Sequence, residues 1–325
     1  MLLAPSGQGA QAATASQAQR ASPPQAVAVE SLWLTVANLN RSLSFYRDVL
    51  GMPVRSAATS ANALLQGLTA PGAHMRGVTL SAGSGPSLQL LEFSGVRHRS
   101  LHPHSVDPGA AILELSVPDM PRVLSAAAHA HSPIVSESSV PVTLPDGRRG
   151  IVLQDPDGFF VALFQPPQPA GTSAVRTTLP SMQVLLTVAA PATMERFYRQ
   201  VFGITLQASP FSNLGPWAQL LNQRTAQWAI TQARPSGPAA APELRAVQFV
   251  SFRRVARHTY SGRPQDSGTP TLSLRVANVS AALRAIRSAG LRVLSAGGQP
   301  VPLRDGGTGI LFRDPAGVLV DLVQR

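Results

Sequence analysis

The residues able to do chemistry are few and unevenly placed along the chain. None of the 325 residues is cysteine, which removes disulfides, thiolate-bound zinc and thiol nucleophiles together. Three of the seven histidines crowd into "RHRSLHPHS" as His98, His102 and His104, a spacing at which two imidazoles can share a metal ion. No acidic or cysteine partner is expected beside them and the stretch contains Pro103, so it reads as a surface loop rather than a metal site. His129 and His131 close a helical stretch, where a cation suits the helix dipole and needs no other role. The acids of interest stand in apolar strands: Glu92 in "LQLLEF", Glu114 in "AILELSV" and Asp321 in "DPAGVLVDLVQ". A buried carboxylate is costly unless it is paired, protonated or met by a ligand's donor. No G-x-S-x-G, P-loop or dinucleotide fingerprint occurs, so serine hydrolases and nucleotide enzymes lack support.

The elements that position these groups are duplicated. "SLSFYRDVLGMPV" (42–54) matches "MERFYRQVFGITL" (194–206) at an offset of 152, and from "LQLLEF" onward the offset is 159, carrying Phe93 onto Phe252, Asp107 onto Asp266 and Asp155-Pro156 onto Asp314-Pro315. The second copy therefore holds seven extra residues after Gly203. Each half divides again: an alternating strand, a cap-like Asn38 or Asp119, an amphipathic helix, then about three short strands, the last set by a "DPDG" or "DPAG" turn. Four βαβββ modules result.

This pattern, carried by "LTVANLNRSLSFYRDVLG", "LSVPDM" and "DPDGFFVALFQ" with their counterparts, resembles the vicinal oxygen chelate superfamily. That superfamily includes glyoxalase I, extradiol dioxygenases, methylmalonyl-CoA epimerase and bleomycin- or fosfomycin-resistance proteins. The resemblance implies an α+β fold of two domains, residues 29–168 and 177–325, joined by a linker at 169–176; the Ala/Gln/Ser-rich segment 1–28 before them is expected to be disordered. Each domain would be a curved eight-stranded mixed sheet around a cup, with helices outside. It also implies a divalent ion held by the first and last strands of the modules. Carried over by spacing, those positions are Ser31, Glu92, Ile112 and Ala162 in the first half, and Gln183, Ser251, Thr271 and Asp321 in the second. Few of these side chains bind metals well, so the expectation is no metal and no other cofactor, with a divalent ion as the alternative.

Strand alternation fills in the rest of each expected cup. The first collects Ser31, Trp33, Leu90, Glu92, Ile112, Glu114, Phe160, Ala162 and Phe164, an apolar lining with two carboxylates. The second collects Gln183, Phe249, Ser251, Thr271, Arg275 and Asp321, with Arg275 available either to Asp321 or to a ligand carboxylate. The functional expectation is a protein that binds a small organic ligand, apolar or aromatic, without the usual metal. Two alternatives stand beside it: a lyase, isomerase or dioxygenase using Glu92 or Asp321 at a non-standard site, and a non-catalytic interaction scaffold.

All 27 basic residues are Arg. Residues 1–170 carry 10 Arg against 10 acids and residues 171–325 carry 17 against 6, so the formal net charge of +11 lies wholly in the second half. No Arg-rich run interleaved with aromatics supports nucleic-acid binding, and no apolar run reaches membrane-spanning length. The expected state is monomer or homodimer. The opening "MLLAPSGQGAQA" has the small residues of a secretory cleavage site but no basic n-region and little of an h-region. As written it implies the cytoplasm; a start further upstream would imply export to the periplasm or beyond.

Overall fold

The computed structural model describes residues 26–57, 72–81, 83, 86–167, 181–233, 246–258, 261–303 and 306–325. The segment 1–25 and the linker 169–176 lie outside the described residues. The first module comprises β1 (Ala26–Thr35), α1 (Leu39–Ser44, continued by a π-turn over Phe45–Val49), β2 (Val54–Ser56), β3 (His74–Leu80) and β4 (Ser87–Ser94). The second comprises β5 (Ala111–Ser116), α2 (Met120–His129), β6 (Val142–Thr143), β7 (Arg149–Gln154) and β8 (Phe160–Gln165). The third runs from β9 (Met182–Thr187) through α3 (Pro191–Phe202), β10 (Leu206–Ala208), β11 (Ser212–Asn213), the short helix α4 (Trp217–Leu220) and β12 (Gln227–Ala233) to β13 (Val247–Arg253). The fourth holds β14 (Pro270–Val276), α5 (Val279–Ser288), β15 (Val301–Pro302), β16 (Thr308–Arg313) and β17 (Leu319–Gln324).

The sheets do not follow the halves of the chain. The order β15-β16-β17-β14-β1-β4-β3-β2 joins the first module to the fourth, and β10-β12-β13-β9-β5-β8-β7-β6 joins the second to the third. The seams are antiparallel: Trp33 faces Thr271 and Ser31 faces Ser273 across β1 and β14, and Glu114 faces Gln183 across β5 and β9. The expectation that each half closes its own cup is therefore corrected. Alternation within a strand fixes which side chains face inward but not which strand lies alongside, and all four modules present the same pattern.

Helix starts follow their local chemistry. Asn38, Asp119 and Asn278 each accept a backbone N–H three residues on, satisfying one of the donors a helix leaves free. The start of α1 has a second acceptor, since Glu92 Oε2 lies 2.6 Å from Leu39 N and 2.9 Å from the Arg76 guanidinium. In the duplicate, α3 begins on Pro191, which has no N–H to satisfy, and the strand residue matching Glu92 is Ser251. The inner faces of these helices and the helix-side faces of both sheets, including Leu32, Leu34, Leu88, Leu90, Leu113 and Phe249, form one continuous apolar core.

Candidate functional site

Each sheet curves over a second, smaller cluster on its other face, and these are the two cups. In the first, Trp33 is 1 % exposed and packs among Leu91, Phe93, Leu303, Leu311, Leu319 and Val323. Its indole N–H donates to Ser31 Oγ at 2.8 Å, and Gln89 Nε2 approaches the same oxygen at 3.4 Å. Asp321 is wholly buried; Ser273 donates to its Oδ2 at 2.7 Å, while Oδ1 has no partner among the described residues. Burial pushes this carboxyl up to about 8, against the bond from Ser273, so it is held mainly as the neutral acid. Arg275 turns away from it to the sheet rim, near Glu30 at 4.0 Å, where Arg325 also pairs with Glu30 at 2.9 Å. The internal pair of Arg275 with Asp321 is not made.

Two strands run one residue out of the expected phase. In β4 the residues on the cup side are Gln89, Leu91 and Phe93, with Leu90 in the helix-side core and Glu92 at the start of α1. In β13 the cup side holds Val250 and Phe252, while Phe249 lies in the helix-side core. Ser251 falls on that same side by alternation, buried and with an unpartnered hydroxyl among the described residues. "LQLLEF" and "VQFVSF" are apolar on both faces, so alternation carries no phase there. Glu92, Phe249, Ser251 and Leu90 thus stand outside the cups, and Glu92 is a helix anchor whose carboxyl is lowered by the Leu39 N–H and Arg76 against the cost of its burial.

The second cup gathers Ile112, Phe160, Ala162 and Phe164 from the first half with Leu185, Val250 and Phe252 from the second. The segment inserted in the second copy enters it: Leu214, Leu220 and Leu221 are buried there, and Trp217 and Trp228 pack against the cluster half-exposed. Ser136 Oγ donates to Leu220 O at 3.1 Å and Glu137 N to Gln219 O at 3.0 Å, tying α4 down. Aromatic rings continue to the mouth, with Phe164 and Trp217 centroids 5.4 Å apart, Trp217 and Trp228 also 5.4 Å apart, and the Arg148 guanidinium 4.8 Å over Phe164. Gly150 is required beneath that ring, because a Cβ there would meet Phe164 at 2.6 Å. On the same face of the sheet Glu114 is half-buried, opposite an exposed Gln183. Burial raises its carboxyl to about 7 against the opposing pull of Arg148. No described residue donates a hydrogen bond to it.

The profile of the Glyoxalase/Bleomycin resistance protein/Dioxygenase superfamily matches residues 27–163 and 182–322. The chain belongs to this superfamily. Glyoxalase I from Zea mays aligns over 93% of this chain and 92% of its own at 18% identity and a TM-score of 0.59. A putative dioxygenase from Bacillus subtilis aligns over 92% and 86% at 13% identity and a TM-score of 0.57. These likenesses establish the fold. No curated protein matches the sequence.

The strand positions that the resemblance implied for a divalent ion offer little here. The first cup presents Ser31, Gln89, Thr271 and Asp321, of which Gln89 and Ser31 engage each other and Asp321 takes a bond from Ser273, a single carboxylate among neutral groups. The second presents Ile112 and Ala162, both wholly buried and without donor atoms, beside Gln183. Neither set fits a divalent ion of the family type. The histidines of "RHRSLHPHS" separate: His98 Nδ1 lies 3.3 Å from Val96 O, His102 lies against Gly158, and only His104 joins a titratable cluster. The expectation that no acid stands beside these histidines is corrected: Asp107 lies three residues beyond His104, and a further histidine, His258, arrives from the other half. Short-range spacing could find the first of these; nothing local announces the second. Among the described residues no helix is long and apolar enough to cross a membrane.

Proposed function

We propose that this chain binds a small organic molecule at the mouth of the second cup without a metal held there, and that Glu114 orients it. The observation that carries the reading is a half-buried carboxyl with no described donor, its affinity for protons raised, beside a half-exposed aromatic wall of Trp217 and Trp228 and the stacked pair of Arg148 and Phe164. Such a group is satisfied either by its own proton or by a donor on a ligand. The ligand class is an apolar or aromatic body carrying an amine or another N–H donor. The first cup, where Trp33 and Asp321 are closed over by leucines, is core in this reading.

Native mass spectrometry of the purified full chain for co-purified molecules, then calorimetry with a panel of aromatic amines and their neutral analogues, tests it. Binding of amines that weakens at least tenfold in Glu114→Gln and in Trp217→Ala supports the proposal. Equal affinity of wild type and both variants, or no binding by any member of the panel, overturns it. A second reading rests on the same group: a carboxyl near 7 is suited to general-base work, and turnover that is lost in Glu114→Gln while binding persists would favour the enzyme.

A further inference from the structure

The two loops that lead from one module to the next are duplicates. Thr187 Oγ1 donates to Ser105 O at 2.8 Å and Gly109 N to Thr187 O at 2.8 Å, and the copies of these bonds run from Thr35 to Pro264 O at 2.7 Å and from Gly268 to Thr35 O at 2.9 Å. At the heart of each loop is a buried aspartate. Asp266 accepts the backbone N–H of Arg99 and of Arg263, each at 2.9 Å, and the guanidinium groups of the same two residues each close on it at 2.8 Å. Asp107 accepts the backbone N–H of His258 and of His104, each at 2.8 Å. The offset of 159 carries Arg99 onto His258, His104 onto Arg263 and Asp107 onto Asp266. One scaffold thus bears Arg–Asp–Arg at one end and His–Asp–His at the other.

The histidine end does not behave as a hydrogen-bonded copy of the arginine end. His104 Nδ1 stands 3.3 Å from Asp107 Oδ2 and His258 Nδ1 3.5 Å from Oδ1, while the imidazole centroids are 5.5 Å apart. Those separations exceed the usual N–H···O range. They leave each imidazole beside a different carboxylate oxygen, spacings that one ion bonded at about 2.0–2.1 Å bridges with small side-chain shifts. One donor atom from each of the three residues falls within 4.8 Å of the others. Charge points the same way. Two guanidiniums and a carboxylate sum to one positive charge, and so do a divalent ion, a carboxylate and two imidazoles, which ligate in the neutral form. With imidazole and carboxylate as donors the preference is for zinc and its neighbours, cobalt and nickel, rather than calcium or magnesium.

We propose that His104, Asp107 and His258 form a divalent transition-metal site, in the loops between modules, that clasps the first half of the chain to the second. Both imidazoles are largely exposed, at 68% and 69% of their side-chain surface, so an ion can enter without opening the fold and keeps at least one position for water. Asp107 is already pinned by two backbone donors, which spares much of the ordering cost.

The test uses the full chain freed of any histidine tag, titrated with zinc by calorimetry and with cobalt by visible absorption. Expected is one tight equivalent, a tetrahedral cobalt spectrum, and a thermal midpoint that rises with added zinc. The double variant H104R/H258R recreates the partner set that already folds around Asp266, and it should fold, lose that equivalent at least a hundredfold in affinity, and melt at a temperature indifferent to zinc. Should that variant fold poorly, His104→Gln and His258→Gln singly are each to weaken cobalt at least tenfold. No stoichiometric binding in the wild type, or the same binding in these variants through His98, His102, His129 or His131, overturns the proposal. Glu114→Gln should leave metal binding unchanged, which keeps this outcome independent of the ligand-binding reading.

Discussion

Tyr46 donates its hydroxyl to Asp155 Oδ2 at 2.9 Å across 109 positions of sequence, and the duplicated pair, Tyr198 and Asp314, makes no such bond. Both tyrosines are buried, and in the second pair the Tyr198 hydroxyl and Asp314 Oδ2 are each unpartnered among the described residues. The same sequence match therefore encloses a satisfied pair at one end of the molecule and two orphaned polar atoms at the other. Removing Tyr46 Oη leaves a buried carboxyl oxygen without its donor, at a cost of about 1–3 kcal/mol. Removing Tyr198 Oη deletes an unsatisfied group. Tyr46→Phe should lower the denaturant midpoint measurably, and Tyr198→Phe should leave it level or raise it. Equal losses in the two variants would contradict the geometry.

The start of α1 makes a second unequal pair. Glu92 caps Leu39 N and holds Arg76, whereas Pro191 in the copy leaves Ser251 with nothing to accept. Glu92→Ala should destabilise by about 1 kcal/mol, the usual worth of an N-terminal cap, and Ser251→Ala should be neutral or mildly stabilising. Chemical denaturation of the two variants side by side reads the difference. A larger effect from Ser251 than from Glu92 would reverse the assignment.

The fold was legible because patterning is local. Repeated strand, cap, helix and Asp-Pro turn signals determine four modules, and Asn38 and Asp119 cap where their positions require. What escaped was non-local. Which modules share a sheet depends on seams such as Trp33 to Thr271 and Glu114 to Gln183, and no residue types there distinguish one partner from another. Phase failed in β4 and β13 alike because both are apolar on both faces, and the error was the same in each since the strands are duplicates. His104 and Asp107 stand three residues apart in plain sight, yet their third member lies 151 positions beyond Asp107.

Trp33 separates a ligand wall from core. It is 1 % exposed, its N–H is taken by Ser31 at 2.8 Å, and leucines cover it. Trp33→Ala should therefore cost about 3–5 kcal/mol of stability, seen as a large drop in thermal midpoint in the absence of any ligand. A well-folded variant whose only defect is weaker ligand binding would restore the first cup as a site.

Asp321 sets a pH dependence whose direction can be worked out. Its carboxyl is pushed up to about 8 by burial, above its ordinary value near 4, so between those values the folded chain holds a proton that the unfolded chain releases. The stabilisation is fully present below the ordinary carboxyl range and is lost as the pH rises through 8. Glu114, Asp155 and Asp314, each raised to about 7 chiefly by burial, act in the same sense. Asp48, whose bond to Arg47 lowers it to about 2, acts in the opposite sense in the acid range alone. Stability should therefore be greater near pH 5 than near pH 8, since the carboxylates that arginine holds ionised, Asp266 and Asp48 among them, titrate only at lower pH. Asp321→Asn keeps the shape and the bond from Ser273 while removing the titration. In that variant the fall in denaturant midpoint between pH 5 and 8 should shrink, the residue coming from Glu114, Asp155 and Asp314. An unaltered slope would mean that Asp321 does not take up a proton on folding and that another donor reaches its Oδ1.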